Sequence, residues 1–306
     1  MKRVKSLLLG LSFLIIPGSI LFGQAVVAPD SSNTILDYKT EVYTKENIAS
    51  KLPIPLSYVR EADVLYDKTI WRMVDLREKR NMPLYYPTAP IGSRVNLTNL
   101  LLKGVDSGEL TAYDADDPNN EFVRALTKTE IDQRFGAKHD TIQVADADGN
   151  MISQERNEGR KTDEVKLIMV KEKIYFDKKH SVINRQVIGI CPIRLSSRED
   201  EKAGETAGGE DGAAAEMVKT KTFWIYMPEA RPILSRHPIF NRFNDAQNQS
   251  FDDFFMQNRY DGHIYQISNV YNNRSIAEYA SGLDALYEAQ RIQNEIFDWE
   301  QDLWEY

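Results

Sequence analysis

The sequence has very few of the residues that build disulfides, metal sites or nucleophilic sites. Its 306 residues include one cysteine, Cys191, and four histidines, and no two histidines have the spacing of paired metal ligands. A single cysteine excludes an internal disulfide, and its apolar neighbours favour a buried thiol over a nucleophile. No glycine-rich phosphate loop or Gly-x-Ser-x-Gly turn is present. We therefore expect no catalytic residues, no metal site and no cofactor.

Long apolar runs are also scarce, and the one that exists lies at the N-terminus. Three basic residues among the first five precede apolar residues 7–22, which Pro17 interrupts. As a helix this run would reach about 24 Å, short of a hydrocarbon core of about 30 Å. The pattern predicts a cleaved secretory signal peptide at residues 1–25. No later run approaches membrane length, so we expect an exported protein without direct membrane insertion.

Positive charge is in deficit. The formal net charge is -8, and removal of the signal peptide takes away three positive charges and no negative ones, which gives -8 - 3 = -11. An acidic surface repels the phosphates of nucleic acids and of anionic membranes. We therefore expect no nucleic acid among the partners of this protein.

Segments with little apolar surface to bury divide the remaining chain into predicted units. Residues 26–50 have few large apolar side chains and predict an extended N-terminal arm, and residues 197–217, rich in acidic, glycine and alanine residues, predict a flexible insertion. Helical and strand patterns alternate between these segments, which is typical of the α+β class. We place a first small α+β module at residues 51–155, a second at 156–274, and a C-terminal helix at 275–306.

An internal repeat relates the two modules. The stretches "NLTNLLLKGVDSGELTAY" and "SFDDFFMQNRYDGHIYQI" align at a constant offset of 250 - 96 = 154 residues. This offset pairs Asn96 with Ser250, which are both helix-capping residues, and six apolar or glycine positions follow in register. Each copy predicts a capped helix, a turn with glycine and a strand.

Three further stretches of the sequence predict strands. Residues 174–194 contain a β-branched run that predicts one or two strands ended by Pro192, and residues 221–232 predict another ended by Pro228. Asp148-Gly149 lies between two runs of alternating apolar residues, which predicts a hairpin.

The C-terminal helix is predicted to be amphipathic. Ser275 and Glu278 have the spacing of a capping box, which predicts that the helix opens there. Apolar residues recur at alternating spacings of four and three, which indicates a narrow seam of the kind that meets another helix. The seam consists of Ala285, Ala289, Ile292, Ile296, Trp299 and Leu303. Two interpretations stay open: the seam packs on the second module, or it binds a helix of a partner.

One stretch, "WRMVDLREKRNMPLYYP", concentrates six charges in nine positions from residue 72 to residue 80. If residues 69–81 form a helix, Asp75 and Lys79 are four residues apart and support it, and Asn81 can take the left-handed cap before Pro83. Most of the charge is then explained by the surface and the end of a helix.

The "PLYYP" segment that follows is not explained in this way, because Tyr85 and Tyr86 between two prolines form a stiff, extended, aromatic segment of the kind that interfaces favour. We therefore predict that this stretch and the helical seam lie at interfaces. The candidate interface residues are Arg60, Glu61, Trp71, Arg72, Arg77, Glu78, Tyr85, Tyr86, Ile292, Ile296, Trp299 and Leu303.

Four blocks of the sequence resemble the GldN/PorN family, which comprises components of the type IX secretion system and of gliding motility in the Bacteroidetes lineage. The blocks are residues 52–87, residues 96–114, residues 175–193 and the "FDDFF" region near Phe251. The likeness spans essentially the whole mature chain, and the first block is long and unusual enough to be specific. The chain departs from the family in segments that vary freely, above all the acidic insertion.

The resemblance implies a non-enzymatic structural component of the periplasm. It implies assembly with the outer-membrane lipoprotein GldK/PorK, and with further copies of itself, into a large ring at the inner face of the outer membrane. It also implies contact with the periplasmic part of GldM/PorM, a component of the motor in the inner membrane.

Two other classes of function stay open as alternatives. One is a carboxylate-dependent periplasmic hydrolase that uses the acidic pairs 116–117 or 252–253, or His263 beside Asp261. The other is a peptide- or cargo-binding module in which residues 83–87 form one wall of a groove.

Overall fold

Strands make up the centre of this chain and helices cover them. The computed structural model describes residues 50–91, 94–116, 121–145, 151–197, 217–241, 244 and 249–302. The strands are β1 (Val64–Asp75), β2 (Ala112–Tyr113), β3 (Lys138–Ala145), β4 (Met151–Glu158), β5 (Val165–Asp177), β6 (Val182–Ser197), β7 (Met217–Lys221), β8 (Trp224–Tyr226) and β9 (His263–Ile267). The helices are α1 (Met82–Tyr85), α2 (Leu97–Ser107), α3 (Lys128–Arg134), α4 (Met227–Arg236), α5 (Phe251–Met256) and α6 (Leu283–Asp302), with 3₁₀ turns at Glu61–Asp63, Thr162–Glu164 and Ile276–Glu278.

Seven of the strands form one antiparallel sheet. Its order is β2-β8-β6-β5-β1-β9, and β7 pairs with β6 beside β8. The longest ladders join β5 to β6 and β1 to β5, where Val74 lies opposite Ile168. β3 and β4 form a separate two-stranded hairpin, which confirms the hairpin predicted around residues 148–149, although that turn lies outside the described residues.

This sheet joins the two segments that the sequence assigns to separate modules. β1, from residues 51–155, lies between β5 and β9, from residues 156–274, and β2 pairs with β8 of the second segment. The largest apolar cluster likewise combines Leu100 with Phe254. The expectation of two separate α+β modules is therefore corrected to one sheet with a shared core. The α+β class is confirmed, and the internal repeat stays a prediction.

Several predicted segments cannot be compared with the structure. The signal peptide, residues 26–49 of the arm and residues 198–216 of the insertion lie outside the described residues. They stay predictions from the sequence.

The charged stretch that begins at Trp71 continues a strand and is not a helix. β1 runs to Asp75, with β5 on one side and β9 on the other. Side chains alternate between the two faces of a strand, and each face of β1 is covered: Val74 belongs to the cluster beneath the helices, and Met73 to the cluster on the opposite face. A strand buried on both faces has a continuous apolar run instead of an alternating one, so its period does not identify it as a strand.

Two apolar layers enclose the sheet. Helices α2, α4 and α5 bury their apolar sides on one face, and their fully buried residues include Leu97, Leu101, Leu234, Phe251 and Phe255. The other face holds a smaller cluster around Trp71, Met169, Cys191 and Trp224, against which the half-buried rings of Tyr113 and Phe122 pack.

Helix starts follow the predicted caps closely. The Asn96 side chain accepts a hydrogen bond from Asn99 N at 2.7 Å and opens α2, and Ser250 forms a capping box that opens α5. Ser275 also forms a capping box with Glu278, but this box opens only the 3₁₀ turn, and the long helix begins later, at Leu283. The predictions from capping residues are therefore correct for the starts of α2 and α5. They are wrong for the C-terminal helix, which begins eight residues after Ser275.

Pro192 does not end its strand, contrary to the prediction. β6 continues through it to Ser197, and the Pro192 carbonyl accepts hydrogen bonds from Thr222 N at 3.0 Å and Thr222 Oγ1 at 2.8 Å. In an antiparallel strand the N–H and C=O of one residue point to the same side. The missing N–H of Pro192 thus falls in the gap between β8 and β7, where no ladder hydrogen bond is lost.

Candidate interaction site

Trp71, a predicted interface residue, is buried in the protein. Its indole Nε1 donates a hydrogen bond to Glu121 Oε1 at 2.7 Å, and Lys171 Nζ donates to the other oxygen of Glu121 at 2.8 Å. The Lys171 ammonium lies 4.9 Å from the centre of the Trp71 ring, within the range of a cation–π interaction. Trp71 therefore holds the segment around Glu121 against the sheet, and its assignment to an interface is corrected.

Arg72 is also corrected, because its guanidinium lies in a buried ion pair. Its Nε donates to Glu172 Oε1 at 3.1 Å and its Nη1 donates to the Gly262 carbonyl at 2.7 Å. The Glu172 side chain is completely buried, and its second oxygen lies 3.6 Å from Arg185 Nε. Burial, followed by the charge of Glu172, raises the pKa of Tyr260 well above its ordinary value. The charges of this cluster join β1, β5 and the start of β9.

Arg77 and Glu78 lie in an exposed turn after β1. Arg77 forms a two-pronged ion pair with Asp75, at 2.9 Å from Nε and 2.6 Å from Nη2, and this hydrogen bonding lowers the pKa of the Asp75 carboxyl. Asn81 has a φ of -94° and does not take the predicted left-handed cap. Its amide Nδ2 donates instead to the carbonyls of Asp75 and Asp261, at 2.8 and 2.9 Å, and so ties the turn to the entry of β9.

The "PLYYP" segment is partly helical, which corrects the expectation of an extended path. Pro83 lies in the first turn of α1, which ends at Tyr85. Tyr85 is half-buried and its hydroxyl donates to the Asp163 carbonyl at 3.3 Å, whereas Tyr86 is 50% exposed and meets the Tyr85 ring edge-on at 4.9 Å. Of the two tyrosines, Tyr86 is the one that a partner can reach.

Arg60 and Glu61 are exposed where the chain approaches β1. Glu61 begins the first 3₁₀ turn, and the carbonyl of Asp63 at its end accepts a hydrogen bond from Lys178 N at 2.8 Å. The exposed candidates from the sequence are therefore these two residues, the turn at Arg77 and Glu78, and Tyr86.

The seam of α6 packs on the protein's own sheet. Ala289 and Ile292 are buried in a cluster with Ile70 and Ile264, and Ile296 packs against the same cluster. Of the two interpretations of the seam, packing within the chain is the one observed. The seam covers the part of the sheet that contains β1 and β9. Ile292 and Ile296 are therefore not free for a partner helix.

Trp299 continues the same contact. Its ring stacks on Tyr66 at 4.1 Å and meets Phe176 edge-on at 5.7 Å. Its assignment to an interface is corrected in the same way, and Leu303 lies outside the described residues.

The sequence reasoning missed two exposed features. One is the strip, defined as residues 52–58, in which every second side chain is apolar and exposed. Its period of two is visible in the sequence, where Pro53 and Pro55 alternate with Leu52, Ile54 and Leu56. The other is the tyrosine cavity, a surface cavity between α6 and the ends of β1 and β9, lined in part by Tyr66, Tyr271 and Tyr279. Its residues come from distant parts of the chain, so no local pattern could reveal it.

Three of the four acidic residues considered as catalytic pairs have structural partners, and the fourth, Asp117, lies outside the described residues. Asp252 accepts a hydrogen bond from Arg231 Nε at 2.9 Å, and Asp253 accepts one from the Ser250 hydroxyl at 2.8 Å in the capping box of α5. Asp116 pairs with Arg134 at 2.5 Å. Their charge is used for helix capping and ion pairing.

The remaining reactive groups show no catalytic arrangement in the described part of the chain. Burial lowers the pKa of His263, and Asp261 accepts a hydrogen bond from the neighbouring Gly262 N at 2.9 Å. Burial raises the pKa of the Cys191 thiol to about 12. Across the described ranges, no group of three or more His, Cys, Asp or Glu side chains could hold a metal ion, and no helix is both long and apolar enough for a membrane span.

These features define an α+β protein in which buried charged side chains of the described part, such as Arg72 and Arg231, form structural ion pairs, and in which the apolar strip and the tyrosine cavity lie at the surface. The chain matches the family described as gliding motility associated protein GldN over residues 59–305 and belongs to that family. The match confirms the resemblance found in the sequence. No curated protein has significant sequence similarity to the chain.

Proposed function

We propose that this protein is a non-enzymatic structural component of the type IX secretion and gliding machinery. It assembles with the GldK/PorK-type outer-membrane lipoprotein, and with further copies of itself, into a ring at the periplasmic face of the outer membrane, and it contacts the GldM/PorM-type motor protein. The observation that carries this proposal is the family match over residues 59–305.

The chemistry of the described side chains supports a structural role. Asp252, Asp253 and Asp116 are each engaged by a cation or a helix cap, so none is placed as a free acid or base. Cys191 lies in the apolar layer and its raised pKa keeps it a thiol at neutral pH. A role in assembly requires none of these groups to react.

The predicted signal peptide and arm support the proposed location and mode of assembly. The peptide at residues 1–25 would direct the chain to the periplasm. An arm at residues 26–50 with little apolar surface of its own can order on a neighbouring subunit. The exposed turn at Arg77 and Glu78, together with Tyr86, offers a separate contact for the lipoprotein or the motor.

Co-expression with the GldK/PorK-type lipoprotein tests the proposal. We expect a large, closed particle that contains both proteins in a fixed ratio, measured by light scattering and seen as rings by electron microscopy. Expression without the lipoprotein serves as the control for its contribution. A monodisperse monomer under all conditions of co-expression would contradict the proposal.

The exposure of Tyr86 favours one alternative, a module that binds exported cargo. A photo-crosslinking amino acid at position 86 separates the two functions, because Tyr86 is half exposed and accepts the substitution without loss of a buried contact. Crosslinks to the ring and motor proteins support the structural role, whereas crosslinks to exported cargo support the alternative.

A further inference from the structure

A row of four residues, here named the cross-strand row, runs from strand to strand across one face of the sheet. Trp71 of β1 lies opposite Lys171 of β5, Lys171 lies opposite Gly189 of β6, and Gly189 lies opposite Tyr226 of β8. Residues directly opposite each other in an antiparallel sheet project from the same face. Because Gly189 has no side chain, the row has a gap between the ammonium of Lys171 and the ring of Tyr226.

The chain fills this gap with two of its own residues, Glu121 and Phe122, which we name the plug. The Glu121 side chain is 4% exposed, and its carboxylate accepts hydrogen bonds from Trp71 Nε1 at 2.7 Å and from Lys171 Nζ at 2.8 Å. The Phe122 ring lies over Gly189, where an added Cβ would collide with the ring atom Cζ. The row therefore holds one carboxylate and one aromatic ring from two consecutive residues.

Further aromatic rings surround the ring of Phe122. The Lys171 ammonium lies 5.7 Å from the centre of this ring, and Glu229 lies at the edge of the site, where it accepts a hydrogen bond from the Tyr113 hydroxyl at 3.4 Å. Lys171 is thus the cation that the Glu121 carboxylate meets inside the site. Three rings meet Phe122 edge-on, with 5.5, 5.7 and 5.9 Å between ring centres, and they belong to Tyr226, Tyr113 and Trp224.

The plug has a strained main chain. Phe122 has a φ of 69°, in the left-handed region that bulky side chains rarely adopt. The loop that carries the plug is closed at its base, where Asp114 N donates to the Arg124 carbonyl and Leu126 N donates to the Ala112 carbonyl, both at 2.8 Å. These two hydrogen bonds do not involve the plug, so the plug can leave the row while the base of its loop stays closed.

We infer that the cross-strand row is a binding site for an acidic residue followed by an aromatic residue in a partner protein, and that the plug occupies this site as an autoinhibitory contact. The charge of Lys171 and the surrounding rings define this ligand, because the plug shows both contacts in place. A partner segment is not tied to the base of the loop, so it can present the same two side chains without a left-handed residue. Trp71 is buried while the plug is bound and becomes accessible when the plug leaves.

Peptide binding to a chain with an emptied site tests the inference. The emptied variant is the full mature chain with Glu121→Ser and Phe122→Gly, because glycine accepts the left-handed φ and keeps the path of the loop. The probe is the blocked peptide Ser-Glu-Phe-Ser, and its two controls carry Gln in place of Glu or Ala in place of Phe. In calorimetry we expect the probe to bind at least about tenfold more tightly than either control. Equal binding of the three peptides, or no binding, would overturn the inference.

The wild-type chain measures the effect of the plug. A tethered plug competes at a high effective concentration, so the probe should bind the wild type at least about tenfold more weakly than the emptied variant. Equal binding to the two proteins would mean that the plug blocks nothing, which also overturns the inference.

Glu121→Gln provides a second comparison that keeps the Phe122 ring and weakens only the contact of the carboxylate. This variant should bind the probe at least about threefold more tightly than the wild type. The comparison decides the matter even where the emptied variant does not fold, because absence of any gain contradicts an autoinhibitory plug.

Lys171→Met in the emptied variant removes the ammonium that selects the acidic residue. The preference for Glu over Gln should then disappear. Lys173→Met is the matched control, because Lys173 lies two residues further on the same face of β5 but pairs with Asp67 at 2.7 Å, and it should leave the preference intact. A preference that survives Lys171→Met would refute the assignment. None of these measurements depends on ring formation, so the inference and the proposed function are tested separately.

Discussion

Replacement of Arg72 by methionine would remove the closer of two arginine partners from a buried carboxylate. The Glu172 side chain is completely buried and its strong partner is Arg72 Nε at 3.1 Å, whereas Arg185 lies at 3.6 Å and is 33% exposed. Removal of one partner from a buried ion pair costs about 3–5 kcal/mol. The Gly262 carbonyl also loses its donor, so we expect the free energy of unfolding to fall by at least about 3 kcal/mol, a large part of the 5–15 kcal/mol typical of a folded protein.

Urea unfolding followed by tryptophan fluorescence measures this loss. Arg77→Met is the matched control, because it removes the same side chain from an ion pair that is 62% exposed on the arginine side, where a loss of about 0–1 kcal/mol is expected. The double variant Arg72→Met with Glu172→Leu should recover most of the stability, because no charge is then left unpaired on Glu172. Equal losses for the two single variants, or a double variant worse than Arg72→Met alone, would refute the reasoning.

Three further predictions follow from the same contacts. Gly262→Ala places a Cβ 2.3 Å from a backbone oxygen of β1 and should cost about 1–3 kcal/mol in urea unfolding, whereas Gly159→Ala, with no heavy atom within 4 Å of the added Cβ, should leave the midpoint unchanged. The pKa of Asp75 is lowered by its hydrogen bonds with Arg77, so its contribution to stability is present above the unfolded carboxyl pKa of about 3.9 and is lost as the pH falls below it. Between pH 5 and pH 2, the free energy of unfolding of Arg77→Met should therefore change less with pH than that of the wild type. An identical pH profile for the two proteins would contradict the assignment. Deletion of residues 26–50 should preserve the circular dichroism spectrum and weaken ring assembly, and global unfolding of the deletion variant would show that the arm belongs to the core.

Local features of this fold could be predicted from the sequence. The caps at Asn96 and Ser250 and the hairpin of β3 and β4 depend on residues within a few positions of one another, and each is found as expected. The seam of α6 is also visible in the sequence as a periodic apolar pattern. That pattern does not show which surface the seam covers.

The stretch around Trp71 could not be predicted because its partners are distant in sequence. Arg72 meets Glu172, 100 residues away, and Trp71 meets Glu121, 50 residues away. A run of charged residues whose partners are distant in sequence has the same pattern as a solvent-exposed helix. The four-residue spacing of Asp75 and Lys79 also favours a helix. Only the ladder with β5 shows that the first part of this stretch is a central strand.

The strip and the tyrosine cavity were not predicted because the exposure of a side chain depends on the whole fold. The strip alternates apolar residues with prolines, and a period of two predicts a strand with one buried face, whereas here the apolar side chains are exposed. The tyrosine cavity combines residues from β1, the loop after β9 and α6, so it exists only in the folded chain.

The central claim is that copies of this chain assemble into a ring, and a side-chain-resolved reconstruction of the particle formed with the GldK/PorK-type lipoprotein tests it most directly. We predict a closed ring in which many copies of the chain repeat around one axis. A particle that contains a single copy of the chain, or none, would contradict the account.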